Sequence, residues 1–314
     1  MKFSVTIPAY KSRYLLEAIE SVVSQTYTDW ELIIVDDCSP ENLRTIIEPH
    51  LSDQRVHYYR NEQNCGTKDV VDNWNICLSY SQGEYVICIG DDDKLLPSCL
   101  DHLSKLIEKY PDLNIYHIQT EIIDHDGHIQ EVLSTRPERE DILSMMVKRW
   151  NGRKHFIGDY CYRREHLKTH GGYYKIPYAW GSDDITAFRA AYNLGVANMA
   201  ETGFQYRENR YSISLSNNDE EKALAALMQR EWHSKVLLEL HKEGRYSDDA
   251  LKEAQLSMIQ FIKRLIAYHI LRDMTFHGPS RIVFWWKKHS HFGISPATLI
   301  KLYLKSIISH QETA

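Results

Sequence analysis

Glu31-Leu32-Ile33-Ile34-Val35-Asp36-Asp37-Cys38-Ser39 is the stretch that decides the fold. Its apolar core has no polar alternation, as expected of a strand buried on both faces of a sheet, and it runs straight into two carboxylates. Similar strand-like runs are Phe3–Pro8, Val56–Arg60, Tyr85–Ile89 and Asn114–Thr120. Helical patterns lie between them. Leu15, Leu16, Ile19, Val22 and Val23 recur with a period near 3.6, and further helices are predicted over 41–50, 67–81 and 98–109, the last just after Pro97. Strands alternating with helices of this length predict an α/β fold with a mostly parallel sheet covered on both faces. In such sheets ligands bind beyond the carboxyl ends of the strands.

After residue 120 the rhythm changes. Ile122–Asp124 and Ile129–Val132 flank Asp126-Gly127, a hairpin signal. A helix near 140–150, a strand near 155–162, a helix near 184–194 and a strand near 196–206 follow. From 219 onward the pattern is helical only. Leu224, Met228, Trp232, Val236 and Leu240 predict one stripe; Ala254, Met258, Phe261, Leu265 and Ile266 predict a second, with Gly244 between the helices.

The chain has 314 residues, 43% apolar and 25% charged, which excludes general disorder. No apolar run approaches the ~18 residues of a membrane span. The first residues read as a strand rather than a signal peptide, so a cytoplasmic protein is expected. Six cysteines without a Cys-x-x-Cys pair point to free thiols rather than structural zinc. A net charge of −6 argues against a general nucleic-acid binder. From Gly278 onward, however, five Lys or Arg face one Glu.

Three acidic clusters stand where strands or turns end: Asp36-Asp37, Asp91-Asp92-Asp93 after Gly90, and Asp183-Asp184 after Gly181-Ser182. Adjacent like charges repel, and a hard cation such as Mn2+ or Mg2+ relieves that, using carboxylates together with substrate phosphates. The plainer reading of the triplet is a solvated turn before the helix that follows Pro97. The first strand ends Ile7-Pro8-Ala9-Tyr10, so neither a dinucleotide fingerprint nor a Walker loop is present. A bound diphosphate would then need a cation for charge neutralisation.

These residues together resemble the family 2 glycosyltransferases. The likeness runs from Ser4-Val5-Thr6-Ile7-Pro8-Ala9-Tyr10 through Ser24-Gln25-Thr26-Tyr27 and the quoted strand. It continues through Asn64-x-Gly66, Asn73-Trp74-Asn75, Gly83-Glu84-Tyr85 and Asp91-Asp92-Asp93-x-Leu95-x-Pro97, covering roughly residues 3–210. It implies a GT-A type α/β/α sandwich over 1–214, with a nucleotide-sugar-binding half (1–120) and an acceptor-side half (121–214), followed by a helical region over 215–314. It also implies inverting transfer of a sugar from a nucleotide-sugar, UDP-linked for preference, to a glycan or lipid-linked acceptor in bacterial cell-surface polysaccharide synthesis.

Carried over by position, the resemblance assigns Pro8, Ala9, Tyr10, Asp37, Asn64, Gly66 and Lys68 to the donor nucleotide. Asp91 falls at the ribose or metal contact, Asp92 at the principal metal ligand, and Asp93 as a third acid. Gly90 stands where the family's first acid usually does, which bears on the ligand count. The string Trp180-Gly181-Ser182-Asp183-Asp184 corresponds to the turn that carries the general base. Asp183 lies at the base position with Asp184 as runner-up, Ser182 replaces the usual glutamate, and Trp180 is an acceptor-side platform or a core residue. Ser182 and Asp183 are equally good helix caps. Arg207 and Arg210 read as surface residues or as partners of the diphosphate, and Asn209 stands where many members carry a histidine.

The tail mixes Phe284, Trp285, Trp286, Phe292 and Tyr303 with Lys287, Lys288, Lys301 and Lys305. Such helices lie on the inner membrane face beside a lipid-linked acceptor, pair with a second copy, or pack on the rest of the chain; the sequence leaves the three open. Two other functions stay open beside the transferase: a non-catalytic nucleotide- or glycan-binding relative, favoured by Gly90 and Ser182, and a nucleotidyltransferase-like enzyme of nucleotide-sugars.

Overall fold

The computed structural model describes residues 3–208 and 218–313. Contacts divide them into two units, the first made of 3–145, 154–175 and 182–208, the second of 146–153, 176–181 and 218–313.

In chain order the elements are β1 (Phe3–Ala9), α1 (Leu15–Val23), β2 (Trp30–Asp36), α2 (Arg44–Ile47), β3 (Val56–Arg60), α3 (Val70–Tyr80) and β4 (Tyr85–Cys88). There follow β5 (Lys94–Leu95), α4 (Cys99–Lys109), β6 (Ile115–Ile123), β7 (Ile129–Val132), β8 (Arg139–Glu140) and α5 (Ile142–Trp150). Then come β9 (Tyr160–Arg163), α6 (Arg164–Thr169), α7 (Ser182–Ala191) and β10 (Val196–Arg207). The chain continues with α8 (Asp219–Lys242), α9 (Asp248–His277), α10 (Ile282–Lys288) and α11 (Pro296–Thr313).

The first unit is a mixed α/β sheet in the order β3-β2-β1-β4-β9-β6-β10-β5. β3, β2, β1 and β4 are parallel, as are β6 and β10. β9 is antiparallel to both β4 and β6 and joins the two parallel groups. The strand expected over 155–162 starts only at Tyr160, because a 3-10 turn occupies Ile157–Asp159. β2 shows why its apolar run is unbroken. Leu32 and Ile34 point into a core with Leu15, Ala18, Ile19, Leu100 and Leu103 of α1 and α4, while Ile33 and Val35 face Cys77 of α3. The expected hairpin forms between β6 and β7.

A buried carboxylate fastens the amino ends of three strands. Oε1 of Glu31 accepts from Ser4 Oγ (2.5 Å), Gln82 N (2.7 Å) and Gly83 N (2.8 Å). Gly83 is required by close approach, since a Cβ there would lie 2.6 Å from Ser4 N. The opposite, carboxyl ends of these strands are left free to build a site.

In the second unit α8 packs against α9, α9 against α11, and α11 against α10. The α9 stripe buries Ala254, Met258, Phe261 and Ile266 as expected. The stripe expected on α8 is corrected: Val236 and Leu240 are buried, but Leu224 is 38% and Met228 45% exposed. Residues four apart drift about 40° per step, so five of them turn roughly 160° and cannot stay on one face. Ala223, Ala225 and Ala226 form the buried face of the first half instead. All six cysteines are free thiols, four of them buried.

Candidate functional site

The site begins where β1, β2 and β4 end. Beyond Ala9 the chain is held by Asp91, whose Oδ2 accepts from the backbone N–H groups of Tyr10 (2.8 Å) and Lys11 (2.7 Å). The Asp37 N–H donates to the Ala9 carbonyl at 2.8 Å, and Ser39 Oγ donates to the Tyr10 carbonyl at 2.6 Å. Three strand ends are thus tied into one surface, with the Tyr10 ring exposed on it.

The Asp37 carboxylate organises the loop after β3. Its Oδ1 accepts from Asn61 Nδ2 (2.8 Å) and Cys65 N (3.0 Å), and its Oδ2 from Asn64 Nδ2 (3.1 Å). Pro8, Ala9, Tyr10, Asp37 and Asn64 thus lie close together, at the ends of β1 and β2 and in the loop after β3. Gly66 (φ 77°) and Lys68 follow on the same loop, with Lys68 exposed. Asp36, the neighbouring acid, is turned inward, where Tyr58 Oη (2.9 Å), Ser39 N (2.8 Å) and the Arg60 guanidinium occupy its oxygens.

In the acidic triplet Asp91 and Asp93 are buried and Asp92 is half-buried. Burial, and then the charge of Asp92, pushes the Asp91 carboxyl up to about 6 and that of Asp93 well above the usual carboxylate range. Asp93 accepts from Gly90 N (3.2 Å) and Arg207 N (3.0 Å), so it braces the turn against β10. Gly90 is explained by the same crowding: a Cβ there would meet Asp92 Oδ1 at 2.7 Å and Asp93 Oδ2 at 2.9 Å. An acid at that position has no room while its neighbours keep these places.

Arg207 is corrected from a surface or phosphate-facing residue to a buried one. Its Nε donates to the Asp92 carbonyl (2.9 Å), Nη1 to the Asp124 carbonyl (3.1 Å) and Nη2 to Glu17 Oε2 (2.8 Å), and its guanidinium lies 4.2 Å from the Tyr14 ring centroid. Asn209 and Arg210 lie outside the described residues.

The donor set suits a hard cation, since it offers only carboxylate oxygens, and a cation would relieve the burial and repulsion that raise Asp91 and Asp93. No group of three His, Cys, Asp or Glu side chains converges as a metal cage among the described residues. A cation here would depend on oxygens brought by a ligand as well as on Asp92 and Asp91.

The second acidic turn opens α7. Asp184 is buried and accepts from His155 Nδ1 at 2.9 Å, whereas Asp183 is half-buried and caps the helix locally, accepting from Asp184 N at 2.9 Å. Tyr206 connects this turn with the triplet. Burial raises its phenol first, and the charges of Asp93, Asp92, Glu208 and Asp183 raise it further, so these acids share one electrostatic neighbourhood. Its ring stacks on Phe156 at 3.8 Å. Trp180 belongs to the helical unit, where its ring lies 4.7 Å from that of His269, 5.1 Å from Lys222 Nζ, and its carbonyl accepts from Gln229 Nε2 at 2.7 Å.

Tyr206, His155 and Asn61 were not singled out as site residues by the sequence. The position of Tyr206 at the end of a strand is the one signal that pointed to any of them.

Comparison with known proteins agrees with this architecture. The protein described as the teichuronic acid biosynthesis glycosyltransferase TuaG of Bacillus subtilis (strain 168) is 38% identical over 93 residues, 29% of this chain and 36% of that one. The protein described as the colanic acid biosynthesis glycosyl transferase WcaA of Escherichia coli K12 is 39% identical over 100 residues, 31% and 34% of the two chains. The poly(ribitol-phosphate) β-N-acetylglucosaminyltransferase TarS of Staphylococcus aureus is 23% identical over 222 residues, 69% and 37%. The matched part thus spans about a third of the length of these curated relatives. The crystal structure of S. aureus TarS 1–349 in complex with UDP-GlcNAc superimposes with a TM-score of 0.63 at 17% identity, covering 100% of this chain and 92% of that one. It shares the fold. The sequence model of Glycosyl transferase family 2 matches residues 4–171, more than half of the chain, and the chain belongs to that family.

Proposed function

We propose that this protein is an inverting glycosyltransferase that moves a sugar from a UDP-linked donor to a glycan or lipid-linked acceptor in bacterial cell-surface polysaccharide assembly. The observation that carries the reading is the tie between Asp91 and the backbone of Tyr10 and Lys11. It sets the acidic triplet beside the exposed Tyr10 ring and the Asp37 carboxylate, as recognition of a base and a diphosphate on one surface requires. Relatives named for teichuronic acid, colanic acid and poly(ribitol-phosphate) chemistry, and a fold shared with a UDP-GlcNAc-bound enzyme, support the substrate class.

In this reading Tyr10 lies against the nucleobase and Asp37, held in place by Asn61, Asn64 and Cys65, accepts its N–H. Asp92, with Asp91, would hold a Mn2+ or Mg2+ ion. That ion, when bound, neutralises the diphosphate and improves it as a leaving group. Asp183 takes the proton of the acceptor hydroxyl as its oxygen bonds to the anomeric carbon and the bond to the departing nucleoside diphosphate breaks. Asp184 is fixed by His155 and is not available for that role. The domain assignment follows the same logic, with the transfer chemistry on the first unit.

A panel of nucleotide-sugars with and without Mn2+, followed by thermal shift and by slow donor hydrolysis, tests the proposal. Stabilisation by one UDP-sugar with hydrolysis is expected. Stabilisation without hydrolysis or transfer identifies a non-catalytic binder, and pyrophosphate release from a nucleoside triphosphate identifies a nucleotidyltransferase.

A further inference from the structure

The last two helices leave a distinctive surface. α11 buries Leu299 and Ser306 but exposes Ile300, Leu304 and Ile308 at 47%, 56% and 62%. At about 100° per residue these three fall within an arc of roughly 80°, and the exposed Lys301 and Lys305 border it on one side. α10 repeats the arrangement: Trp285 is buried against Phe292, while Val283, Trp286 and Lys287 are exposed. No Asp or Glu occurs between Gly278 and Ile308. Arg281 is held by Asp273 and Lys288 by Glu220, whereas Lys287, Lys301 and Lys305 make no ion pair among the described residues.

We infer that this face docks on an anionic lipid surface. Charge selects the occupant. A second copy related by a two-fold axis would set the same lysines against one another, and an uncharged apolar partner would leave three ammonium groups unanswered. Anionic phospholipid matches both features, with the acyl boundary receiving the apolar arc and tryptophan while the headgroup phosphates receive the lysines. No helix among the described residues is long and apolar enough to cross a membrane, so such an attachment lies in the interface plane. The inference stands apart from the catalytic reading, because vesicle binding is measured without turnover.

The test is flotation of the full chain with phosphatidylcholine vesicles and with vesicles containing phosphatidylglycerol. Binding to the anionic vesicles alone, reversed by salt, is expected. Lys301→Glu with Lys305→Glu should weaken it at least about thirty-fold, at roughly five-fold per lysine removed. Leu304→Glu should abolish it. Both variants change exposed residues, and unchanged melting and circular dichroism separate lost docking from lost folding. Equal binding to both vesicle types, no binding to either, or binding indifferent to these substitutions overturns the proposal. So does a concentration-dependent dimer that Leu304→Glu dissociates, since it gives the face to a second copy.

Discussion

His155 Nδ1 donates to Oδ1 of Asp184 at 2.9 Å, and both side chains are sealed from solvent. The pair fixes the first turn of α7 from beneath and leaves the adjacent Asp183 as the acid that reaches the surface. If Asp183 is the base, Asp183→Asn should lower acceptor-dependent turnover by about 10²–10⁴-fold while leaving stabilisation by UDP intact. Asp184→Asn should instead destabilise the fold by about 3 kcal/mol, the usual consequence of leaving one partner of a buried pair. Turnover assays beside denaturant melts separate the two. Equal turnover in the Asp183 variant and the wild type moves the base elsewhere.

Gly90 should not tolerate an acid. Gly90→Asp drives a side chain into Asp92 Oδ1 and Asp93 Oδ2, so a loss of about 1–3 kcal/mol is expected. A thermal melt at low and high salt checks it; no change in Tm would mean that the turn has another arrangement within reach.

Asp37→Asn should abolish the thermal shift produced by UDP. The new amide can place only one oxygen where two now receive Asn61, Asn64 and Cys65, and its NH2 faces their donors. The loop 61–65 should loosen as well, which hydrogen exchange would register as faster exchange at Cys65.

Lys222 supplies a pH test on the helical unit. Burial, and then Arg272, lower its ammonium to about 8 despite Asp219, and it lies 5.1 Å from the Trp180 ring centroid and 5.9 Å from that of Tyr178. Between about pH 8 and the ordinary 10.5 the unfolded chain binds more protons than the folded one, so this group's contribution to stability rises with pH across that window. Below pH 8 the penalty is fully present. Lys222→Met should therefore be more stable than wild type at neutral pH, and the difference should shrink by up to about 3 kcal/mol as pH approaches 10.5. Paired urea melts across the range measure it; a constant difference would show that Lys222 keeps its ordinary titration.

The placing of acids at the carboxyl ends of the strands was legible in the sequence, because it depends on local order. A buried strand that runs into Asp36-Asp37 brings both acids to the sheet's carboxyl end, and the alternation of strands and helices gave that end. The α8 stripe was misread because i+4 spacing drifts around a helix, and only packing shows that small residues, Ala223, Ala225 and Ala226, form its buried side. Arg207 was misread because a charged residue in isolation belongs to solvent; four acceptors, all distant from it in sequence, are what keep it buried.

The sequence by itself determined the alternating α/β order, the strand-end acids and the membership of family 2, since periodicity and motif order are properties of neighbouring residues. Tertiary structure decided which acid does what. Asp91 holds the end of β1, Asp93 braces Arg207, and Asp184 is closed off by His155 while Asp183 stays half-buried. Those distinctions come from burial and from partners up to 114 residues away in the chain, and no local pattern carries that information.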